Sequence, residues 1–144
     1  ATFDAPNREV CTIRRPRTNT PLQALVTLND PVFVEAAQAL ARRIIRESEA
    51  NVEAQATRGF RLVLTREPRP SEVERLVDLY EETCAKYTTQ PGAAMAMATK
   101  PRGPLPEEIL KHFDGNVSEA HIHLAAWTVV GNVLLNLDEA FMCP

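Results

Sequence analysis

Arg14, Arg15 and Arg17 are the residues best suited to chemistry in this chain, because guanidinium groups on an extended segment can fork onto carboxylate, sulfate or phosphate oxygens. They lead into Thr20, which can cap a helix begun by Pro21, and the free backbone donors of a helix start also favour an anion. The chemistry on offer is capture of an anionic ligand, such as an acidic glycan, at an arginine-lined site that the missing N-terminal half of an enzyme would complete. The plainer assignment is that these arginines pair with acidic residues of that N-terminal part or solvate the surface.

Other polar groupings carry less. His121-x-His123, with Glu119 and His112, has metal-ligand residue types, but residues two apart on a helix point in nearly opposite directions, and zinc needs three or four converging ligands. His123 is expected to pack beside Trp127, one helical turn on. Asp138 and Glu139 are adjacent carboxylates at a helix end and do not frame a substrate as a general acid and base would. Thr18, Asn19, Gln23, Asn29 and Asp30 are accounted for by caps and a corner. Cys11, Cys84 and Cys143 show neither C-x-x-C nor C-x-x-C-H spacing, so neither a zinc ribbon nor haem attachment is encoded. Cys84 falls on an apolar stripe, and Cys11 and Cys143 can bridge if the chain ends meet; three free thiols in unreduced, folded protein would dispose of that bridge. No catalytic constellation, cofactor site or metal site is expected in this span.

The elements that must position these residues read as helices. Residues 1–17, with Pro6 and Pro16 and no sustained period, form an extended lead-in. A short helix follows at 21–28, ended by Asn29, and Asp30 with Pro31 starts a second one. From there Phe33, Ala36, Ala37, Leu40, Ala41, Ile44 and Ile45 recur at helical spacing, with Glu35, Gln38, Arg42, Arg43 and Arg46 mostly off the stripe. The alanines would let a neighbouring helix come close, and the arginines suit the negative end of the helix dipole.

Asn51 can cap a third helix through Val52, Ala56, Phe60, Val63 and Leu64, which Gly59 weakens by about 1 kcal/mol relative to alanine. Glu67-Pro68-Arg69-Pro70 stops it. Ser71 and Glu74 form a capping-box pattern ahead of the stripe Val73, Leu76, Val77, Tyr80, Cys84 and Tyr87. Residues 90–117 carry four prolines and three glycines, too many breakers for one continuous element, so they form a long connection with short helical turns at 93–98 and 106–113. The last helix has so broad an apolar face, from Ile122 to Leu137, that it should be central, and its polar strip of His121, Thr128, Asn132 and Asn136 needs partners if buried.

The fold expected is all-α: an irregular bundle of four main helices at 31–48, 52–65, 72–88 and 118–136, plus the short helix at 21–28. In domain terms the lead-in is followed by helices over 18–89, the connection over 90–117 and the central helix over 118–138. At 144 residues and 44% hydrophobic, the chain can bury a core without metal or disulfide support. A net charge of -3 and basic residues without interleaved aromatics argue against nucleic acid. No run reaches about 18 apolar residues, so no membrane span is expected. The start on Ala1 and Phe3-Asp4 suggests a cut from a longer protein, with any export signal upstream.

Several unusual words occur together and in order: Phe3-Asp4-x-Pro6, Cys11-Thr-Ile-Arg-Arg15, Arg17-Thr-Asn-Thr-Pro-Leu-Gln-Ala-Leu25, Leu28-Asn-Asp-Pro31, Phe33-Val-Glu-Ala-Ala37, Leu64-Thr-Arg-Glu-Pro-Arg-Pro70, and Ala126-Trp127 through Leu134-Leu-Asn-Leu-Asp-Glu139. Together they resemble the C-terminal part of the planctomycete PSD-type domain of unknown function. That resemblance implies the end of a larger domain in a large, exported protein that carries a cytochrome-c-like domain upstream. Haem c would then lie elsewhere in the parent, and the upstream domains would be this chain's partners. The family has no established activity to carry over; the function expected of this span is that of a non-catalytic helical structural or interaction module.

Overall fold

The structure, a computed structural model, describes residues 31–137. The lead-in with Arg14, Arg15 and Arg17, the short helix at 21–28, Cys11, Cys143, Asp138 and Glu139 lie outside the described residues. Within them the chain is all-α, as its periodicity predicts, with no strand. The helices are α1 (Pro31–Glu47), α2 (Val52–Leu64), α3 (Pro70–Thr88), α4 (Pro91–Thr99), α5 (Glu107–Leu110) and α6 (Val117–Leu135), with a 3-10 turn over Lys111–Phe113.

The long helix α6 is apolar on almost every side and takes the central place, packing against α1, α3 and α4. Ala120, Leu124, Ala125, Ala126, Trp127, Val130 and Leu134 on it are all buried. Its crossing with α1 depends on small residues, as the alanines predict: Ala37 and Ala41 are fully buried, and a Cβ on Gly131 would stand 3.1 Å from Leu40 Cδ2 and 3.5 Å from the Ala37 carbonyl oxygen. Gly59 has a packing reason too. A Cβ there would come within 2.8 Å of Ile44 Cδ1 and 3.4 Å of Leu134 Cδ1, so the residue that weakens α2 locally lets α1 and α6 close on it.

Helix ends follow the sequence with one correction. Asn51 caps α2 by accepting from the Ala54 N–H at 3.0 Å, and Asn116 caps α6 from Glu119 N–H at 3.1 Å. The expected Ser71–Glu74 capping box does not form, because Pro70, with its φ already helical, starts α3 earlier and makes Glu72 the third helical residue. Glu72 reaches back to the Arg69 N–H at 2.7 Å and takes both arms of Arg66 at 3.2 and 3.0 Å. Burial pushes the Glu72 carboxyl up, but these donors outweigh it and hold the group below the usual carboxylate range.

The Pro/Gly-rich connection is built as helical pieces. Pro91 sits at the start of α4, and Pro106 lends its carbonyl to the Ile109 and Leu110 N–H groups at 3.0 and 3.1 Å. Ala94, Ala98, Leu105 and Ile109 from this region join the core. How α4 ends explains two polar residues that the sequence places off the α1 stripe: Gln38 is 1% exposed and Arg42 7%. Gln38 Nε2 donates to the carbonyls of Met97 at 2.6 Å and Lys100 at 2.7 Å, and its Oε1 accepts from the Arg102 N–H at 3.2 Å. Arg42 donates to the carbonyls of Ala98 at 3.3 Å and Gly103 at 2.5 Å. With Lys100 N–H on Ala96 and Gly103 N–H on Thr99, the last carbonyls of α4 are all paired. Arg42 thus serves the negative end of α4 rather than that of its own helix.

Candidate functional site

Ion-pairing and ring-stacking residues converge where α3 meets α6. Helical spacing places Tyr80 and Cys84 on one face of α3, and Glu119, His123 and Trp127 on one face of α6. The Tyr80 hydroxyl hydrogen-bonds His123 Nδ1, and Cys84 Sγ stands 3.8 Å from the same nitrogen. On the far side of the imidazole, Nε2 lies 3.8 Å from Glu119 Oε2. Phe113, from the 3-10 turn, stacks on His123 with centroids 5.4 Å apart and planes 18° apart. Tyr80 stands between the two α6 rings, with its centroid 5.8 Å from His123 and 4.4 Å from Trp127. Tyr80 thus touches both of the α6 rings that helical spacing sets one turn apart.

Burial sets the protonation of this group. It pushes the Tyr80 hydroxyl far above its ordinary range and, with smaller help from Cys84, keeps it protonated. The Cys84 thiol is pushed up for the same reason. His123 is pulled below its ordinary value by burial, against the opposing pull of Glu119. A neutral imidazole that accepts the Tyr80 proton at Nδ1 carries its own proton on Nε2, facing the Glu119 carboxylate. The thiol, imidazole and carboxylate follow the order of a thiol-nucleophile triad, but the nitrogen that would take the thiol proton is already taken by Tyr80. Their arrangement suits cohesion between α3 and α6 better than nucleophilic attack.

The pH dependence of stability follows in sign. Below the ordinary value of 6.5 the unfolded chain protonates its His123 while the folded chain resists, so the unfolded state binds more protons and stability is lost as pH falls. His121 is displaced downward by burial as well and adds the same sign. Urea midpoints measured at about pH 7.5 and about pH 5.5, above the range where carboxylates titrate, should show the lower value at the lower pH. In H123Q that drop should shrink; a midpoint that holds or rises at the lower pH would refute the assignment.

His112 and His121 do not form a metal-holding group with His123 among the described residues. His121 projects from another side of α6, and among the described residues no three of His, Cys, Asp and Glu converge closely enough to hold a metal ion. His112, Phe113, Glu119, His123 and Tyr80 do line a cleft of about 310 Å³ against the α1–α2 corner, which contributes Ser48 and Gln55. Gln55 Oε1 accepts from Trp127 Nε1 at 3.1 Å, so the cleft wall is bonded to the buried tryptophan behind it. Reading the sequence by single stripes misses Tyr80, Phe113 and Gln55, although Tyr80–Cys84 and Glu119–His123–Trp127 at spacings of four are visible signals. Nothing local says that these two stripes face each other.

The described residues define an all-α module in which Gln38 and Arg42 tie α1 to the end of α4, Tyr80 ties α3 to α6 and Trp127 ties α6 to α2. Among them no helix is long and apolar enough to cross a membrane. The chain belongs to the family described as PSD1, protein of unknown function (DUF1553), whose profile matches residues 1–80. That span takes in Arg14, Arg15 and Arg17 and ends at Tyr80, so the words at 126–139 lie beyond it. No curated protein and no solved structure matches the chain.

Proposed function

We propose that this chain is a non-catalytic helical structural and interaction module, the C-terminal piece of a larger exported protein associated with cytochrome-c-like domains. The observation that carries the reading is where four buried side chains with polar groups make their hydrogen bonds. Gln38 and Arg42 close the end of α4, Tyr80 bonds His123 across α3 and α6, and Trp127 bonds Gln55 across α6 and α2. Side chains employed in this way are fixed by one another and leave few groups free to act on a substrate. Its partners would be the upstream domains of the same polypeptide, and haem c would sit there rather than on any residue of this chain.

The reading frame upstream of Ala1 tests compartment and cofactor together: an export signal and a C-x-x-C-H are expected, and a frame with neither would remove both. The non-catalytic part is tested on the full parent protein beside a variant with Arg14, Arg15 and Arg17 replaced by alanine. Binding to sulfated and carboxylated sugars should be the same for both. Loss of sugar binding in the variant would instead establish an arginine-lined anion site completed by the N-terminal half.

A further inference from the structure

Glu119 stands on the first turn of α6, 53% exposed, at the edge of the cleft described above. Its ion-pair partner among the described residues is His123, at 3.8 Å, and burial favours the uncharged form of that imidazole. Among the described residues no lysine or arginine lines the cleft. Among the described residues the carboxylate is thus left without a permanent counter-charge, in a cleft that Phe113 and the edge of the buried Tyr80 also line. Ile45, Ala50 and Val52 supply apolar wall on the α1–α2 side, where Ser48 keeps a hydroxyl oxygen with no hydrogen-bond partner among the described residues. An anionic group, the Phe113 ring and apolar walls around one cleft are the components that recognise an organic ammonium ion, through Coulomb attraction to the carboxylate and contact of the apolar body with the walls.

We propose that the cleft between the α1–α2 corner, Tyr80 and the Phe113–His123 stack binds a small primary amine, with its ammonium at Glu119 and its apolar body against Phe113 and Val52. The volume of about 310 Å³ suits a molecule of about one ring and its substituent. The larger cleft along Glu47, Glu49, Asn51, Glu53, Arg58 and Arg61 offers no such site, because among the described residues no aromatic ring lines it and two arginines stand beside its carboxylates.

Trp127, the one tryptophan of the chain, packs on Tyr80 and bonds Gln55, both of which line the cleft, so its fluorescence reports occupancy. The full chain is titrated with benzylamine, benzyl alcohol and benzoate at neutral pH and low salt, with fluorescence and calorimetry read in parallel. Benzylamine should saturate and bind at least about tenfold more tightly than benzyl alcohol, with benzoate weaker still. E119Q, at a half-exposed position, should bring the amine down to the alcohol's affinity and leave the alcohol unchanged. Equal binding of amine and alcohol, an amine affinity unaffected by E119Q, or no saturation by either method up to about 10 mM would each overturn the site. Should E119Q lose its helical signal, the comparison of amine with alcohol in the unsubstituted chain decides the matter.

Discussion

Gln38→Leu is expected to lower the unfolding free energy by about 3 kcal/mol, a large share of what a domain of this size has. Leucine keeps most of the volume and adds apolar surface, so the loss comes from three backbone groups. The Met97 and Lys100 carbonyls lose their donor and the Arg102 N–H loses its acceptor, at a place where Gln38 itself is 1% exposed. A buried polar group left without a partner costs about 1–3 kcal/mol, and part of that is recovered if water enters. Urea unfolding followed by Trp127 fluorescence gives the magnitude, and hydrogen exchange gives the place: protection should fall first over 97–103. A leucine variant within about 0.5 kcal/mol of the parent chain would show that the α4 end is not held by these bonds.

This clamp also marks where the sequence stops being legible. Periodicity alone predicts α1, α2, α3 and α6 to within two residues at each end, because an amphipathic stripe and its capping residues are local facts. Pro70 moves the start of α3 for an equally local reason, and its effect can be read once its preorganised φ is weighed above the Ser71–Glu74 pattern. Gln38 and Arg42 are different. On their own helix they belong to the polar side, and only the arrival of α4, a short helix begun by Pro91 inside a segment full of breakers, turns that side inward. The cleft is half legible in the same sense. Glu119, His123 and Trp127 at intervals of four announce one face of α6, but the rings that complete it come from α3 and from the 3-10 turn, and no local pattern pairs them. The arginines that the sequence ranks first fall outside the described residues, so their role is decided by binding experiments rather than by these helices.

Trp127→Ala should be the costlier substitution, at about 4 kcal/mol, because three losses coincide in one side chain. Trp127 is fully buried, so removing the indole leaves a void that the alanine-rich surroundings on α6 are poorly able to refill. The face lost against Tyr80, with centroids 4.4 Å apart, contributes about 0.5–1.5 kcal/mol beyond its area. The indole N–H also leaves Gln55 Oε1 without its donor. Trp127→Phe separates these terms, since it keeps a ring against Tyr80 and removes the hydrogen bond and part of the volume; a loss of about 1–2 kcal/mol is expected. Far-UV circular dichroism in urea serves as the readout, the fluorophore being gone. The consequence should reach the cleft, because Tyr80 is held on one side by His123 and on the other by Trp127. With the indole absent the tyrosine can tilt, its bond to His123 loosens, and the imidazole gains water and titrates nearer its ordinary 6.5. The pH dependence of stability should therefore flatten in Trp127→Ala as well as in H123Q, and less in Trp127→Phe, which keeps a ring against Tyr80. An alanine variant that keeps the full dependence would show that Tyr80 is held in place by α3 alone.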